Sequence, residues 1–227
     1  MADFSSLSEA GYGIFSNVWR REETDALATT LAQADLDRSR AGARHLLTQP
    51  AVTALARDPR MLEVARQFLH TEPFPFRATL FDKSAQSNWL VVWHQDRALP
   101  MRAHADAEGW GPWSTKAGIV YAHAPASALA QVVALRISLD PSTDANGPLR
   151  VLPGTHVHGL LDDAAIERFA RDVPPVSCTA VAGGVVAMRP LVLHASSKST
   201  SEARRRVLHI EYAAATSFGP GLDLATA

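Results

Sequence analysis

The hydrophobic positions near the start of the chain recur at helical spacing. Leu27 and Leu31 lie four residues apart on one stripe, and apolar positions repeat in the same way after Asp58 and Pro59. Asp58 suits the position that caps a helix, and Pro59 suits the first helical turn. Residues 1–72 are therefore predicted to be mostly helical.

From about residue 73 the pattern changes to short runs of β-branched and aromatic residues, separated by Pro, Gly, Asn and Asp. These runs predict strands over residues 76–81, 89–94, 131–139, 149–152, 175–182, 184–188 and 206–212, and residues 11–19 predict an extended edge strand. Residues 97–130 are poor in strand signals, whereas residues 161–171 carry the apolar stripe of a helix that begins after a capping Asp162.

The order of these elements indicates a mainly β fold with flanking helices. Many short strands without βαβ alternation are typical of a jelly roll or a small barrel. A chain of 227 residues fits one domain, and no linker-like segment divides it. We expect a single domain over residues 1–227, with a β core at 73–214 that is interrupted by insertions at 97–130 and 161–171.

Composition narrows the class of function. Lys and Arg number 22 and Asp and Glu 23, a net charge of −1, so the chain lacks the basic excess of a nucleic-acid binder. The single cysteine, Cys178, excludes a disulfide framework and a cysteine-rich metal site. No apolar run reaches about 18 residues, and the first residues lack the pattern of a secretory signal. The sequence predicts a cytoplasmic protein without a membrane partner, either a monomer or a homodimer.

His94 and Asp96 are the first candidate metal ligands. They follow an apolar strand, and residues two apart on an extended chain point to the same face, so both side chains can reach one ion. A neutral imidazole and a carboxylate begin the facial triad of two histidines and one carboxylate, which leaves coordination positions open.

His194 and Arg205 strengthen this interpretation from the far end of the sequence. His194 follows a second apolar strand, and Arg205 leads into another β run. A jelly roll can bring such distant segments together at one end of the barrel. A guanidinium there is suited to hold a carboxylate through two parallel hydrogen bonds. This combination suits a metal, a chelating 2-oxo acid and a cationic clamp for its far carboxylate.

Three segments resemble the signatures of the phytanoyl-CoA dioxygenase family. They are WHQD at 93–96, NGPLRVLPGTH at 146–156 and LHASSKSTSEARRR at 193–206, in the family's order and spacing. The family consists of oxygenases that depend on Fe(II) and 2-oxoglutarate and adopt a cupin-like jelly roll, the double-stranded β-helix. The resemblance covers roughly residues 76–212.

The resemblance implies a role for each matching residue. His94, Asp96 and His194 become the iron ligands, and Arg205 binds the distal carboxylate of 2-oxoglutarate, with Ser196 or Ser199 as a possible second contact. The implied reaction consumes O2, releases succinate and CO2, and hydroxylates a substrate. Related halogenases replace the carboxylate ligand by a small residue. This chain keeps Asp96, which favours hydroxylation.

The substrate-facing residues are less well defined by the sequence. Trp110, Trp113 and Tyr121 lie in the long insertion that would overhang the barrel mouth, and Arg136 is the one charged residue in an apolar strand. A buried arginine requires a carboxylate, supplied by the protein or by a ligand. The short chain and modest charge favour a small free molecule as the substrate.

Other interpretations stay open. A β-barrel that binds a metal or small ligand without oxidising it would be expected to have lost a ligand residue, and none is lost here. A divalent metal used for non-redox chemistry would keep the triad but would have no use for Arg205. His156 and His158 resemble a ligand pair, but they match the loop after the family's central signature.

Overall fold

Two antiparallel β-sheets organise the computed structural model, which describes residues 8–39 and 41–226. The fourteen strands are β1 (Tyr12–Phe15), β2 (Arg38–Ser39), β3 (Gly42–Ala43), β4 (Phe74–Lys83), β5 (Val91–His94), β6 (Ala98–Met101), β7 (Trp113–Lys116), β8 (Ile119–His123), β9 (Val132–Ser138), β10 (Leu149–Leu152), β11 (Val176–Cys178), β12 (Val185–Met188), β13 (Leu193–Ser196) and β14 (Arg205–Ala213). The helices are α1 (Arg21–Gln33), α2 (Pro50–Ala56), α3 (Pro59–Leu69), α4 (Ala126–Leu129) and α5 (Asp163–Asp172).

The larger sheet has the strand order β1-β12-β9-β14-β4-β3-β2, and the smaller one the order β11-β10-β13-β5. From β4 to β14 the chain passes repeatedly from one sheet to the other, so strands that are neighbours in the sequence seldom pair. This alternation is the topology of the double-stranded β-helix. The predicted mainly β jelly roll is confirmed, and so is the edge strand near residue 12, which pairs with β12.

The helices predicted in the first seventy residues cover the outer face of the larger sheet. Their apolar side chains form one buried cluster with Leu208, Ile210 and Tyr212 of β14. Asp58 caps α3 as predicted, since its carboxylate accepts a hydrogen bond from the backbone N–H of Arg60. Because side chains alternate along a strand, the residues between these apolar positions point into the space between the sheets.

Tyr212 ties the sheet to this helical layer. Its hydroxyl is buried and donates to the carbonyl of Ala56 at 2.9 Å. We expect Tyr212→Phe to lower the free energy of unfolding by about 1–2 kcal/mol, because the Ala56 carbonyl is left buried without a partner. Urea unfolding measures this. Tyr12→Phe is the control, since the hydroxyl of Tyr12 has no hydrogen-bond partner among the described residues, and an equal loss in both variants would contradict the assignment.

The prediction that residues 97–130 contain few strands is wrong. They form a third sheet in the order β6-β8-β7, followed by α4. Ala117 and Gly118, both with positive φ (50° and 77°), make the turn between β7 and β8. Such turns usually carry Asn-Gly or Asp-Gly, so an Ala-Gly turn gives little signal in the sequence. The predicted helix near 161–171 is confirmed as α5, with Asp162 as its cap.

None of the described helices is both long and apolar enough to cross a bilayer. The cytoplasmic location and the choice between a monomer and a homodimer stay predictions.

Candidate active site

A short strand that the sequence analysis did not identify brings the candidate ligands together. β13 lies between β10 and β5 in the smaller sheet, and its His194 is directly opposite His94 of β5. The two imidazole rings are 4.1 Å apart between centroids. The pairing of β13 with β5 therefore joins residues that are a hundred positions apart in the sequence.

Asp96 completes a compact group of three. The Nε2 atom of His94 is 3.7 Å from one carboxylate oxygen of Asp96, and Nε2 of His194 is 3.5 Å from the other. The three ligand atoms all lie within 4.8 Å of one another. They converge from one side, so a metal ion bound to them would keep its remaining coordination positions open toward the cavity.

Hydrogen bonds to backbone carbonyls fix the orientation of both imidazole rings. The Nδ1 atom of His94 is 2.9 Å from the carbonyl of Val92, and Nδ1 of His194 is 2.9 Å from the carbonyl of Val192. A carbonyl can only accept, so Nδ1 carries the proton and Nε2 presents its lone pair to the group. This use of the second ring nitrogen is typical of metal-binding histidines.

The charge states of the group also suit a cation. Burial lowers the pKa of His194 to about 4, so its ring is neutral at neutral pH. Burial disfavours the charged form of Asp96, but His194, His209, His94 and Arg77 outweigh it and hold the Asp96 pKa at about 2. Neutral imidazoles and an ionised carboxylate are the forms that bind a divalent metal.

The triad opens into a cavity of about 430 Å³ between the two sheets. Its lining is rich in basic side chains. They are Arg44, Arg77, Arg97, Lys116, Arg136 and Arg205. The carboxylates in the lining are Asp96 and Glu211. The cavity therefore has a positive excess and favours anionic ligands.

Arg205 lies buried at one end of this cavity, 3% exposed, and its Nε donates to the carbonyl of Asn146 at 3.1 Å. Burial and the neighbouring charge of Arg136 lower the pKa of Arg205 to about 10. No carboxylate of the described residues pairs with either guanidinium. Arg136 instead contacts Nδ1 of His209 at 2.9 Å and stacks on Phe81.

Ser196 lines the same end, but its hydroxyl already has partners. It donates to the carbonyl of Gly147 at 2.9 Å and accepts from the ammonium of Lys83 at 2.7 Å. Lys83 is only 1% exposed, and burial followed by the charges of Arg205 and Arg136 lowers its pKa to about 8. Lys83 therefore adds a third positive charge, after Arg205 and Arg136, just behind the cavity wall. The sequence analysis did not identify it as a functional residue.

Gly147 is required by this packing. Its φ is 67°, and a side-chain carbon at this position would lie 2.3 Å from the carbonyl oxygen of Ser197 and 3.1 Å from the Lys83 ammonium. The glycine therefore lets the loop before β10 approach the strand that carries His194.

The opposite end of the cavity is formed by two polar pairs. Arg77 makes a two-point ion pair with Glu211 and donates to the carbonyl of Ala98. The Tyr121 hydroxyl is 3.0 Å from Nε2 of His45. Tyr121, proposed from the sequence as a substrate residue, therefore lies in the cavity wall.

Comparison with known proteins fits this geometry. The sequence profile described as phytanoyl-CoA dioxygenase (PhyH) matches residues 7–207. The chain belongs to the phytanoyl-CoA dioxygenase family. All three candidate ligands and Arg205 lie within the matched region, as do all of the cavity-lining residues except His209 and Glu211.

Individual proteins similar to this chain include one hydroxylase and several solved structures. L-proline trans-4-hydroxylase of Streptomyces griseoviridis is 29% identical over 184 residues, which are 70% of this chain but only 61% of the relative. EctD from S. alaskensis, in its apo form, has the same fold with a TM-score of 0.72 and 19% identity, over 97% of this chain and 82% of EctD. Its complex with 2-oxoglutarate and 5-hydroxyectoine gives a TM-score of 0.70 and 20% identity, over 93% and 74%.

The structure does not bring Trp110 and Trp113 to the cavity of this dioxygenase-family protein. Trp110 packs on Phe218, with ring centroids 5.7 Å apart, and Trp113 packs on His104 at 4.5 Å. Both indoles belong to the apolar cluster beneath the third sheet, because residues 97–130 fold into hairpins with a core of their own. No substrate role is proposed for them.

Four further residues with potentially functional side chains also lie away from the triad. His156 bonds to the carbonyl of Ser8, and His158 stacks on Phe169. Arg206 pairs with Asp140 on the sheet face opposite Arg205. The Cys178 thiol is buried in an apolar cluster, and burial raises its pKa to about 12.

Gln95, the residue between the first two ligands, was also missed by the sequence analysis. Its side-chain amide is buried and donates to the carbonyls of Gly159 and Leu191, both at 2.8 Å, and accepts from the N–H of Leu161. It therefore holds two loops together behind the triad and positions the segment that carries Asp96. Its sequence signal is its place in WHQD, where alternation turns it away from the ligands.

Proposed function

We propose that this protein is an Fe(II)- and 2-oxoglutarate-dependent dioxygenase that hydroxylates a small organic molecule and releases succinate and CO2. The observation that carries the proposal is the position of the His94, Asp96 and His194 group. It lies in one cavity with the buried Arg205 and the partly buried Arg136, which have no carboxylate partner among the described residues. A metal on the triad and a dicarboxylate beside it would satisfy both features.

The donor set fits Fe(II). His94, Asp96 and His194 would hold the metal, with both rings fixed by backbone carbonyls and the carboxylate ionised. With iron bound, O2 oxidises 2-oxoglutarate to succinate and CO2 and delivers its second oxygen atom to a C–H bond of the substrate. The protein orients the three ligands from one side and keeps the open side facing the cavity, where both organic molecules can bind next to the metal.

Arg205 is the proposed clamp for the distal carboxylate of 2-oxoglutarate. A buried guanidinium without a counter-charge is unfavourable, so the empty site is destabilised until a carboxylate pairs with it. Arg136 and Lys83 add positive charge at the same end. In this arrangement Ser196 positions the wall through Lys83 and Gly147. Its proton is already donated to the Gly147 carbonyl, so it supports the cosubstrate site indirectly.

The relatives support a small-molecule substrate. The relative with the highest identity reported above is a proline hydroxylase, and the EctD complex contains 2-oxoglutarate together with 5-hydroxyectoine. Because this chain spans only 61% of the proline hydroxylase, its substrate is not inferred from that enzyme.

Turnover of 2-oxoglutarate tests the proposal. The protein is loaded with Fe(II) and 2-oxoglutarate, supplied with air, and assayed for succinate. We expect slow succinate formation that requires both iron and O2 and that is accelerated by a suitable substrate. A folded protein that binds iron but forms no succinate in the presence or absence of small molecules would point instead to a binding protein of the same fold.

Binding of 2-oxoglutarate is expected to weaken as the pH rises through about 8. Lys83 has a pKa of about 8 in the empty site, so it is charged below this pH and neutral above it. The charged form attracts the dicarboxylate, hence affinity is greatest below pH 8 and falls above it by at most tenfold per pH unit for one proton. Titration calorimetry from pH 6.5 to 9.5 measures this. Lys83→Met should flatten the profile, and a profile unchanged by the substitution would contradict the role of Lys83.

A further inference from the structure

The register of the larger sheet separates the cavity into two ends. Arg205, His209 and Glu211 lie on the inner face of β14, opposite Lys83, Thr79 and Arg77 of β4. At about 3.3 Å per residue, the backbone positions of Arg205 and Glu211 are about 20 Å apart. His209 lies between them, close enough to influence Asp96. The triad of His94, Asp96 and His194 therefore faces the middle of the cavity, with part of the cavity on each side of it.

In the proposed function, 2-oxoglutarate occupies only the Arg205 end of the cavity. The far end, here called the Tyr121 pocket, is lined by Tyr121, His45, Arg44 and Lys116, next to the Arg77–Glu211 pair. Tyr121 is 6% exposed and holds His45 through its hydroxyl. His45 has a φ of 59°, a left-handed conformation that is uncommon outside glycine. This backbone geometry directs the His45 ring onto Tyr121.

The basic residues near this pocket differ in whether they have partners. Arg77 is neutralised by Glu211, and Arg97 donates to the side chain of Gln95 and to the carbonyl of Leu161. Arg44 and Lys116 have no ion pair and no side-chain hydrogen bond within residues 8–39 and 41–226. Both are exposed at the mouth, and the Lys116 ammonium lies 5.8 Å from the centre of the Tyr121 ring.

Two unpaired cations at the edge of a wall with a Tyr–His pair form a site for one anionic group. The guanidinium matches a carboxylate through parallel hydrogen bonds, and the ammonium adds a point charge. Burial, and then the charges of Arg44 and Arg77, lower the pKa of His45, so its ring stays neutral and its Nε2 can accept from the Tyr121 hydroxyl. The exposed carboxylate of Asp37 is near enough to His45 to oppose this lowering of the pKa, but within the described part of the chain it forms no ion pair with Arg44 or Lys116.

The size of the cavity limits what this group can belong to. Ligand cavities range from about 300 to about 1,000 Å³, and this one, at about 430 Å³, must also hold 2-oxoglutarate. What remains fits a molecule of only a few carbon atoms and leaves no room for a bulky carrier beside the metal.

We propose that the primary substrate is a small carboxylic acid, whose carboxylate is bound by Arg44 and Lys116 in the Tyr121 pocket. This inference rests on the proposed function, because it assumes that 2-oxoglutarate occupies the Arg205 end. The carboxylate at the mouth orients the molecule so that its carbon chain extends past Tyr121 toward the open side of the metal. Arg44 and Lys116 thus determine specificity, because they favour a substrate that carries a negative charge.

Paired ligands test the charge preference. Under anaerobic conditions the protein is loaded with Fe(II) and 2-oxoglutarate, and the visible charge-transfer band of the chelate is recorded. L-proline and a panel of other small carboxylic acids are then added, each beside its primary amide. A bound substrate perturbs the band without turnover. We expect at least one acid to bind about tenfold or more tightly than its amide, the scale of one charge-assisted hydrogen bond.

Variants that lack the two positive charges test whether Arg44 and Lys116 cause the preference for the acid over its amide. Arg44→Gln/Lys116→Gln should weaken the binding of that acid about tenfold or more and leave its amide unchanged, while the affinity for 2-oxoglutarate changes less than twofold. The matched control, Arg57→Gln/Arg171→Gln, also removes two exposed positive charges, but from surfaces away from the cavity. It should bind the acid as the original protein does.

The outcomes separate this inference from the proposed function. If the chelate band does not form, the proposed function itself fails. If the band forms but amides bind as well as acids, or no acid perturbs it, the Tyr121 pocket does not select a carboxylate. If the double variant loses affinity for 2-oxoglutarate instead of the acid, the two cations serve the cosubstrate, and the inference is also overturned.

Discussion

Replacement of His194 by alanine is expected to abolish turnover and to weaken Fe(II) binding by more than about 100-fold, since even residues that merely support a ligand contribute 10–100-fold. His194 is the ligand that the fold fixes most firmly. It is 5% exposed, its Nδ1 is held by the Val192 carbonyl, and β13 is paired on both sides. The same loss is expected for His94→Ala and Asp96→Ala.

Metal content after dialysis and 2-oxoglutarate-dependent succinate formation measure these effects, and circular dichroism verifies the fold. His158→Ala is the matched control, because this histidine is exposed and stacks on Phe169 outside the cavity. Succinate formation at an undiminished rate in His194→Ala would remove that residue from the metal site and with it the basis of the proposed function.

The substitution Arg205→Met is expected to raise the dissociation constant of 2-oxoglutarate by about 100-fold, while Fe(II) binding is retained. Two charge-assisted hydrogen bonds to one carboxylate contribute about 3 kcal/mol or more, which corresponds to this factor. His94 lies on β5, His194 on β13 and Asp96 in the loop after β5, and none of these candidate ligands is hydrogen-bonded to Arg205. The substitution should therefore weaken the binding of 2-oxoglutarate and leave the binding of Fe(II) unchanged.

For stability, Arg205→Met is expected to have the opposite effect. Without 2-oxoglutarate, Arg205 is a buried cation that has no carboxylate partner among the described residues, and burial lowers its pKa to about 10. A methionine of similar length removes this cost, which exceeds the cost of losing the hydrogen bond to the Asn146 carbonyl, so the apo variant should be as stable as the original protein or more stable. The stabilisation that 2-oxoglutarate gives to the iron-loaded protein should disappear.

Arg206→Met is the control for both effects. Arg206 is the next residue on β14, but it points to the other face of the sheet and pairs with Asp140. Its replacement should lower stability and leave the affinity for 2-oxoglutarate unchanged. If Arg205→Met behaved like Arg206→Met, the buried arginine would be a structural residue and the clamp would have to be sought elsewhere.

The sequence predicted the grouping of the candidate ligands better than it predicted the strands that carry them. The spacing of His94 and Asp96 and the order of the three motifs selected residues that the fold brings together, because metal chemistry restricts residue types strongly. That they bind a metal stays a prediction. β13 was missed because it has four residues and follows β12 after a short turn over residues 189–192. Its position opposite β5 depends on pairing across the whole chain, which local patterns do not report.

The cavity wall was predicted only in part. Arg136 and Tyr121 were identified as unusual residues in their segments, and both line the cavity. Trp110 and Trp113 were selected because large aromatic side chains in a long insertion often contact ligands, but here they pack, partly buried, against the apolar cluster of the third sheet. Lys83 escaped notice because a lysine at the end of a strand is ordinarily solvated, and its burial behind Ser196 is a result of tertiary packing.

The central claim is that the triad binds iron together with 2-oxoglutarate, and an anaerobic titration tests it most directly. Fe(II) is added to the apo protein, then 2-oxoglutarate, while the visible charge-transfer absorption of the chelate is followed. The account predicts a band that saturates at one iron per chain, is absent in His94→Ala, and requires about 100-fold more 2-oxoglutarate in Arg205→Met. A folded protein that binds iron at the triad but gives no such band at saturating 2-oxoglutarate would contradict it.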